Sequence, residues 1–386
     1  MILERLAAMN FRNIERAELS LSPGLNVFVG ENAMGKTNLL EGIYLFSAGR
    51  SFRAGRDREL IRFEAERAEL LLSFLDGERT CAARMRIFGS RRKEIEVGGV
   101  PVTRLGELMG LFPMILFAPE HLDVVKEGPS GRRKLLDFAL SQLSPAYYAA
   151  EAALSKIIAQ KNALLKKELR SGCETGTLDV WNRKFAAAAA VLIEKRAAYV
   201  RELDREARER MLTISAGKEE LRLTYKSYGP EPERDAAARL YEKLRAHERA
   251  ERAVGACLVG PQRDDMRIEI GGREARLYAS QGQQRSAVLA IKLSEGAILE
   301  REKREKPVYL FDDVLSELDA DRQKYLARAT EGAQVVLTTC GAVPEGAARV
   351  FRIQNGAVYQ TSLPRRSPRR KGAGKKRAPA KRGAEE

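Results

Sequence analysis

Read as a succession of apolar and polar positions, the chain falls into three stretches. In the first, Leu19 and Leu21, then Leu25, Val27 and Val29, alternate with polar neighbours about Ser22-Pro23-Gly24, which predicts two half-buried strands around a turn. Gly30 to Gly35 reads as a glycine-bounded loop, and Leu39, Leu40, Ile43 and Tyr44 then recur at helical spacing over Lys36–Phe46. Leu70, Leu72 and Phe74, then Met85 and Ile87, then Ile95 and Val97 alternate between glycine-containing and charged turns, so residues 68–102 are expected to form an antiparallel meander. Ile115-Leu116-Phe117, before Pro119, predicts a short buried strand.

From about Arg132 to Ala253 the period lengthens to that of helices, glycine becomes sparse, and Ala, Glu, Lys, Arg and Leu dominate. Leu154, Ile158, Leu165 and Leu169 fall on one face, as do Phe185, Ala189, Leu192, Tyr199 and Leu203. This predicts a helical lobe broken near Ser171–Thr177, with a strongly helix-favouring tract at Ala186–Ala190 and helices too short for a coiled coil of many heptads. After Val254 strands and loops return. Met266, Ile268 and Ile270 alternate, a helix runs from Gly282 through Ile298, and Val308–Phe311 and Val335–Leu337 read as buried strands. Val350–Ile353 and Val358 flank an Asn355-Gly356 hairpin turn. The pattern holds no internal repeat. The expected fold class is α/β: one domain built from both ends of the chain, 1–118 and 255–363, with a helical lobe inserted at 119–254 and a tail from 364.

Composition narrows the setting. No apolar run approaches the roughly 18–20 residues of a membrane-spanning helix. Met1–Arg12 carries Glu4, Arg5, Asn10 and Arg12 and does not read as a secretory signal. Cys81, Cys173, Cys257 and Cys340 are scattered and there are two histidines, which argues against a disulfide framework or a zinc site and for a cytoplasmic location. The chain has 68 Lys and Arg against 53 Asp and Glu, and residues 364–386 carry ten of the former with two Glu. That segment has no large apolar residue, so it reads as a disordered basic tail. Either it draws in polyanions through counterion release or it serves only solubility.

Gly30-Glu31-Asn32-Ala33-Met34-Gly35-Lys36-Thr37 fits the pattern G-x-x-x-x-G-K-[ST]. Its glycines let the backbone curl so that N–H groups point at phosphate oxygens, and the helix that opens there adds its positive end. Lys36 can reach the outer phosphates and the Thr37 hydroxyl can ligate Mg²⁺. Tyr309-Leu310-Phe311-Asp312-Asp313 is an apolar strand ending in two acids, placing Asp312 to hold Mg²⁺ through water and Asp313 to orient or deprotonate a water nucleophile. Ser280-Gln281-Gly282-Gln283-Gln284-Arg285 opens another helix. Read alone it is either an ordinary N-cap or a second anion-binding helix start, which has a use if it meets the same phosphate from another subunit.

Together these motifs resemble the ATPase heads of the ABC/SMC superfamily, and in detail the RecF family. The stretches that carry the likeness are Gly30–Asn38, Gly49-Arg50-Ser51-Phe52-Arg53, Pro119-Glu120 with Arg132-Arg133 and Asp137, Ser280–Arg285, and Asp312–Asp319. The resemblance covers about residues 1–360 and implies ATP with Mg²⁺ as cofactors and a weak, DNA-stimulated ATPase active as an ATP-dependent homodimer. It implies binding of double-stranded DNA and single-strand/double-strand junctions, and cooperation with RecR and RecO in loading RecA at gaps. Carried over by position, Gly30 to Asn38 would bind the nucleotide, with Thr37 and Asp312 on the metal and Asp313 and Lys36 catalytic. Ser280, Gly282 and Gln283 would face the nucleotide of the partner subunit, and Asp319 would join the two half-sites. Asp313 stands where many relatives have Glu, which implies slow turnover. Gln262, Glu127 and Cys340 are further departures from the family pattern. The competing reading is an SMC-like structural DNA clamp that uses ATP to dimerise, with hydrolysis incidental.

Overall fold

The structure is a computed structural model and describes residues 1–174, 176–227 and 235–361. The chain starts with an antiparallel pair, β1 (Ile2–Phe11) and β2 (Ile14–Ser20), then crosses to a second sheet with β3 (Leu25–Val29). The helix Lys36–Ala48 follows, after which β4 (Arg67–Asp76), β5 (Arg79–Phe88), β6 (Glu94–Val97) and β7 (Val100–Pro101) return to the first sheet, with order β2-β1-β4-β5-β6-β7. This is the antiparallel meander expected over 68–102. Next, β8 (Met114–Phe117) joins the second sheet.

Three helices, Pro129–Leu143, Pro145–Ser171 and Leu178–Ile214, build the inserted lobe, followed by β9 (Leu221–Lys226) and the helices Ala236–Ala246 and Glu248–Val254. A small sheet is completed by β10 (Asp265–Ile270) and β11 (Arg273–Glu274) in the order β11-β10-β9. The helix Gln281–Lys303 leads to β12 (Val308–Asp312), the helix Ala320–Ala329, β13 (Val335–Thr339) and the hairpin of β14 (Ala347–Gln354) and β15 (Ala357–Thr361). The second sheet has the order β15-β14-β3-β13-β12-β8, parallel except for the final hairpin.

The central sheet is covered on both faces, and residue alternation sorts its side chains between two cores. Phe28, Leu116, Leu310, Val336 and Phe351 point to one side, with the antiparallel layer and the helix Lys36–Ala48. Val27, Ile115, Phe117, Tyr309, Phe311 and Leu337 point to the other, with the helix Gln281–Lys303 and the lobe. The architecture is therefore α/β, a head of two packed sheets with an inserted helical lobe.

Several expectations need revision. The two strands expected about Ser22–Gly24 both form, β2 and β3, but in different sheets; the Asn26 amide ties down the connection by accepting from Ser22 N and donating to the Ser22 and Gly24 carbonyls. β1 escaped the alternation pattern because its register shifts between Leu3 and Arg5, which buries Leu3 and Leu6 three apart. In the helix Pro145–Ser171, Leu169 is 52% exposed. The buried stripe runs instead through Tyr147, Leu154, Lys161, Leu165 and Glu168. Its charges are matched: Lys161 Nζ lies 2.7 Å from Glu251 Oε2 with both side chains fully buried, and Glu168 pairs with Arg252. Apolar spacing could not reveal a face that is partly ionic. The lobe expected over 119–254 also contains β9, whose partner β10 lies beyond Val254. The tail expected from 364 lies outside the described residues.

Candidate active site

The loop Gly30–Asn38 leaves β3 and opens the helix Lys36–Ala48. Two of its glycines are required. Gly35 has φ +112°, and a Cβ there would stand 2.8 Å from the Asn13 amide oxygen; a Cβ on Gly30 would collide with the Ile353 carbonyl of β14. Backbone bonds tie the loop to its surroundings: Gly30 N donates to Thr339 O (3.4 Å) and Gly356 N to Met34 O (2.9 Å). Asn13 Nδ2 donates to Ala33 O (3.4 Å). Glu31, Asn32 and Ala33 form the exposed tip. Lys36 is buried, and its ammonium donates to the carbonyls of Gly30 (2.6 Å) and Glu31 (2.7 Å) and to Cys340 Sγ (3.2 Å).

The floor of the site is the parallel pair β12–β13, in which Asp312 and Thr338 are register partners. Asp312 Oδ1 accepts from Thr37 Oγ1 and from Thr338 Oγ1, each at 2.7 Å. Thr338 Oγ1 accepts in turn from Asp313 N at 2.9 Å. Asp313, half-buried, takes the left-handed conformation (φ +50°), and its carbonyl accepts from Ser316 Oγ at 2.7 Å. The hydroxyl of Thr37 and the carboxylate of Asp312 are thus adjacent hard oxygen donors. Such a pair fits Mg²⁺, which uses one or two protein ligands and fills the rest of its octahedron with phosphate and water. Among the described residues no group of three or more His, Cys, Asp or Glu gathers as a cage for a metal.

Glu41, one turn into the loop helix, anchors the outer wall. Arg12 donates to both its oxygens (2.9 Å each), Arg53 Nη2 to Oε2 (2.9 Å), and Ser51 Oγ also donates to it. Burial pushes this carboxyl up, but the Arg12 and Ser51 hydrogen bonds and the Arg53 charge outweigh burial and hold it below the ordinary carboxylate range. Arg53 reaches Asn38 Oδ1 (2.7 Å), and Asn38 Nδ2 reaches Asn13 Oδ1 (2.8 Å). A cleft of about 770 Å³ opens beside them, lined by Arg12, Asn13, Asn38, Arg53 and Phe63 among others.

The second helix start stands apart. Ser280 caps Gln281–Lys303 in a capping box: its Oγ accepts from Gln283 N (3.2 Å) and its N donates to Gln283 Oε1 (2.8 Å). Ser280 is exposed and Gly282 half-buried. Ser286 Oγ donates to Gly282 O and accepts from Arg322 Nε, each at 2.9 Å, and Arg322 N donates to Asp319 Oδ1 at 2.9 Å, which links Asp319 to this start. Among the described residues, the hydrogen bonds of Ser280, Gly282 and Gln283 do not reach the loop 30–38. The hydrogen bonds therefore gather Gly30–Asn38, Asp312 and Asp313, and those of Ser280, Gly282 and Gln283 stay within their own helix start. Sequence reasoning missed Arg12, Asn13, Glu41 and Thr338. The available signals were an acid within a buried helical face and threonines closing a buried strand.

Away from the loop, a buried polar cluster joins the helices Pro129–Leu143, Pro145–Ser171 and Leu178–Ile214 to residues 261–265. Arg196 donates to Asp137 Oδ1 (2.7 and 3.0 Å), to Tyr147 Oη (3.0 Å) and to the Pro261 carbonyl (2.8 Å). Arg132 forks onto Asp265 (2.6 and 3.0 Å), Arg133 donates to Asp264 O (2.8 Å), and Tyr225 donates to Asp264. These contacts pin residues 261–265, which lead through β10 to Ser280.

A phosphate loop closed onto the carboxylate of a nearby parallel strand, between an antiparallel layer and a helical lobe, defines an ATPase head of the ABC/SMC type. The family model described as RecF/RecN/SMC N terminal domain matches residues 2–355. The chain is 38% identical over 343 residues to the DNA replication and repair protein RecF of Alkaliphilus oremlandii, covering 88% of this chain and 93% of that one. It is 34% identical over 365 residues to the protein of the same name from Clostridium perfringens strain SM101, covering 93% and 99%. The chain belongs to the RecF family. Its fold superimposes on a solved structure of the recombination mediator protein RecF-ATP in the RecFOR pathway with a TM-score of 0.89, at 34% identity over 94% of this chain and 98% of that one. An Smc head bound to the C-winged helix domain of ScpA shares the fold at 17% identity (TM-score 0.54, covering 94% of this chain and 98% of that one).

Proposed function

We propose that the protein binds ATP with Mg²⁺ in the loop Gly30–Asn38 and hydrolyses it slowly within a homodimer that acts on DNA in replication and repair. The observation that carries this reading is the hydrogen-bonded chain Thr37–Asp312–Thr338–Asp313, which joins the loop to both acids. Lys36 neutralises outer phosphate charge, Thr37 and Asp312 hold the metal, and Asp313 orients the water. Bound Mg-ATP supplies the phosphoanhydride bond that is cleaved. Ser280, Gly282 and Gln283, exposed or half-buried at a free helix start, offer N–H and hydroxyl groups to the phosphates held by a second copy. The closed dimer is then favoured by contacts that hydrolysis removes.

Relatives carry names in DNA replication and repair, and one solved relative is described as a recombination mediator of the RecFOR pathway. On that footing the partners are double-stranded DNA, single-strand/double-strand junctions at gaps, and RecR with RecO, with RecA loaded downstream; the site of action is cytoplasmic. The net charge of +15 supports phosphate contacts, which give steep salt dependence and little base specificity. Residues 119–254 serve as an arm on the head.

Sedimentation with and without a non-cleavable ATP analogue, in the presence of gapped or blunt DNA, tests the reading. The analogue is expected to produce a dimer that Ser280→Arg abolishes. A chain that remains monomeric at saturating analogue refutes it. Asp313→Asn separates the clamp alternative: a clamp keeps full gap-repair function without hydrolysis.

A further inference from the structure

The mechanism above gives no task to the thiol of Cys340. It stands exposed immediately after β13 and bridges the phosphate loop. Its sulfur accepts from Lys36 Nζ at 3.2 Å and donates to Asn32 Oδ1 at 2.8 Å. An ammonium has three N–H donors, and Lys36 places them on Gly30 O, Glu31 O and Cys340 Sγ. These acceptors are unequal. The carbonyls belong to the loop backbone and sit at 2.6 and 2.7 Å. The sulfur is a weak acceptor, farther away and at the surface.

We propose that Cys340 is a positioning residue for Lys36: it occupies the third N–H of the ammonium with a contact weak enough to be exchanged for a phosphate oxygen. This rests on the reading of Lys36 as a phosphate ligand. The thiol then flanks the seat of the outer phosphates and is covered when they are bound. The strength of the acceptor at position 340 also sets how firmly Lys36 is held back. A hydroxyl competes with phosphate better than a thiol, and a methyl group does not compete, so the effect falls on KM for ATP rather than on kcat.

Two measurements on the full chain test this. First, N-ethylmaleimide labelling is followed cysteine by cysteine by mass spectrometry, with and without Mg-ATP. Cys173, exposed on the lobe, is the internal control and Cys257 is buried. Mg-ATP is expected to slow labelling of Cys340 by about ten-fold or more and to leave Cys173 unchanged, as expected for a group covered by a bound ligand. Second, steady-state hydrolysis should show KM for ATP raised in Cys340→Ser and lowered in Cys340→Ala, each by about two- to five-fold, the scale of one exchanged hydrogen bond. Unchanged labelling of Cys340 while equilibrium dialysis shows ATP bound overturns the proposal. So do Ser and Ala shifts in the same direction. Lys36→Ala in the same dialysis separates the layers: if it binds ATP like the unaltered chain, the phosphate-loop reading itself falls, whatever the thiol does.

Discussion

Replacing Arg196 by leucine removes the centre of the cluster that joins three helices of the lobe to residues 261–265. The side chain is 4% exposed and makes hydrogen bonds to Asp137, Tyr147 and the Pro261 carbonyl. Removing one member of a buried pair generally costs about 3–5 kcal/mol, because the remaining charge stays desolvated without its partner. Two features place this case near the lower end. The Asp137 side chain is 21% exposed and can recruit water. Asp264, fully buried, keeps the Tyr225 hydroxyl, and Arg133 remains close to both acids. The expected loss is therefore about 3 kcal/mol. Urea unfolding and calorimetry at neutral pH measure it. Arg196→Leu combined with Asp137→Asn should recover about a third to a half of the loss, because the second change removes the stranded charge. A loss under about 1 kcal/mol, or a double variant no better than the single one, would refute the view that this cluster is desolvated.

Three further outcomes are expected. Glu41, held below the ordinary carboxylate range by Arg12, Ser51 and Arg53 in spite of burial, contributes stability that is present above its unfolded value of about 4.5 and is lost as pH falls through its lower folded value. Melting curves from pH 6 to 3 should fall more steeply for the unaltered chain than for Glu41→Gln, and equal slopes would exclude the linkage. Gly30→Ala forces β14 away from the loop at Ile353, and should cost about 1–3 kcal/mol in urea and abolish ATP retention in dialysis. Asp312→Asn keeps a carbonyl oxygen to accept from Thr37 and Thr338, so its melting point should move by no more than about 1 kcal/mol equivalent while Mg²⁺-dependent phosphate release disappears.

Much of the head was legible because its local and global signals agree. The run Val308–Phe311 is apolar throughout because both faces of β12 are covered, and the turn Asn355-Gly356 takes φ of +49° and +78°, as its residue types suggest. The loop Gly30–Thr37 was readable because its chemistry demands particular residues at fixed spacing. Other features depend on partners distant in sequence, which no local pattern contains. Glu41 is an ordinary helical acid until Arg12 and Arg53 surround it, and Lys161 and Glu168 become buried only because Glu251 and Arg252 meet them. The register shift in β1 hid a strand that lies between β2 and β4 in the first sheet.

The position of β3 has a consequence for how the molecule comes into being. This strand, complete by Val29, lies between β13 and β14, which are synthesised some three hundred residues later. Closing so long a loop is entropically slow, and the contacts that reward it come last. A nascent or truncated chain that ends before Gln354 therefore carries every residue of the Gly30–Asn38 cradle without the wall that shapes it. Nucleotide retention therefore requires β13 and β14, and a chain cut before them is expected not to hold ATP.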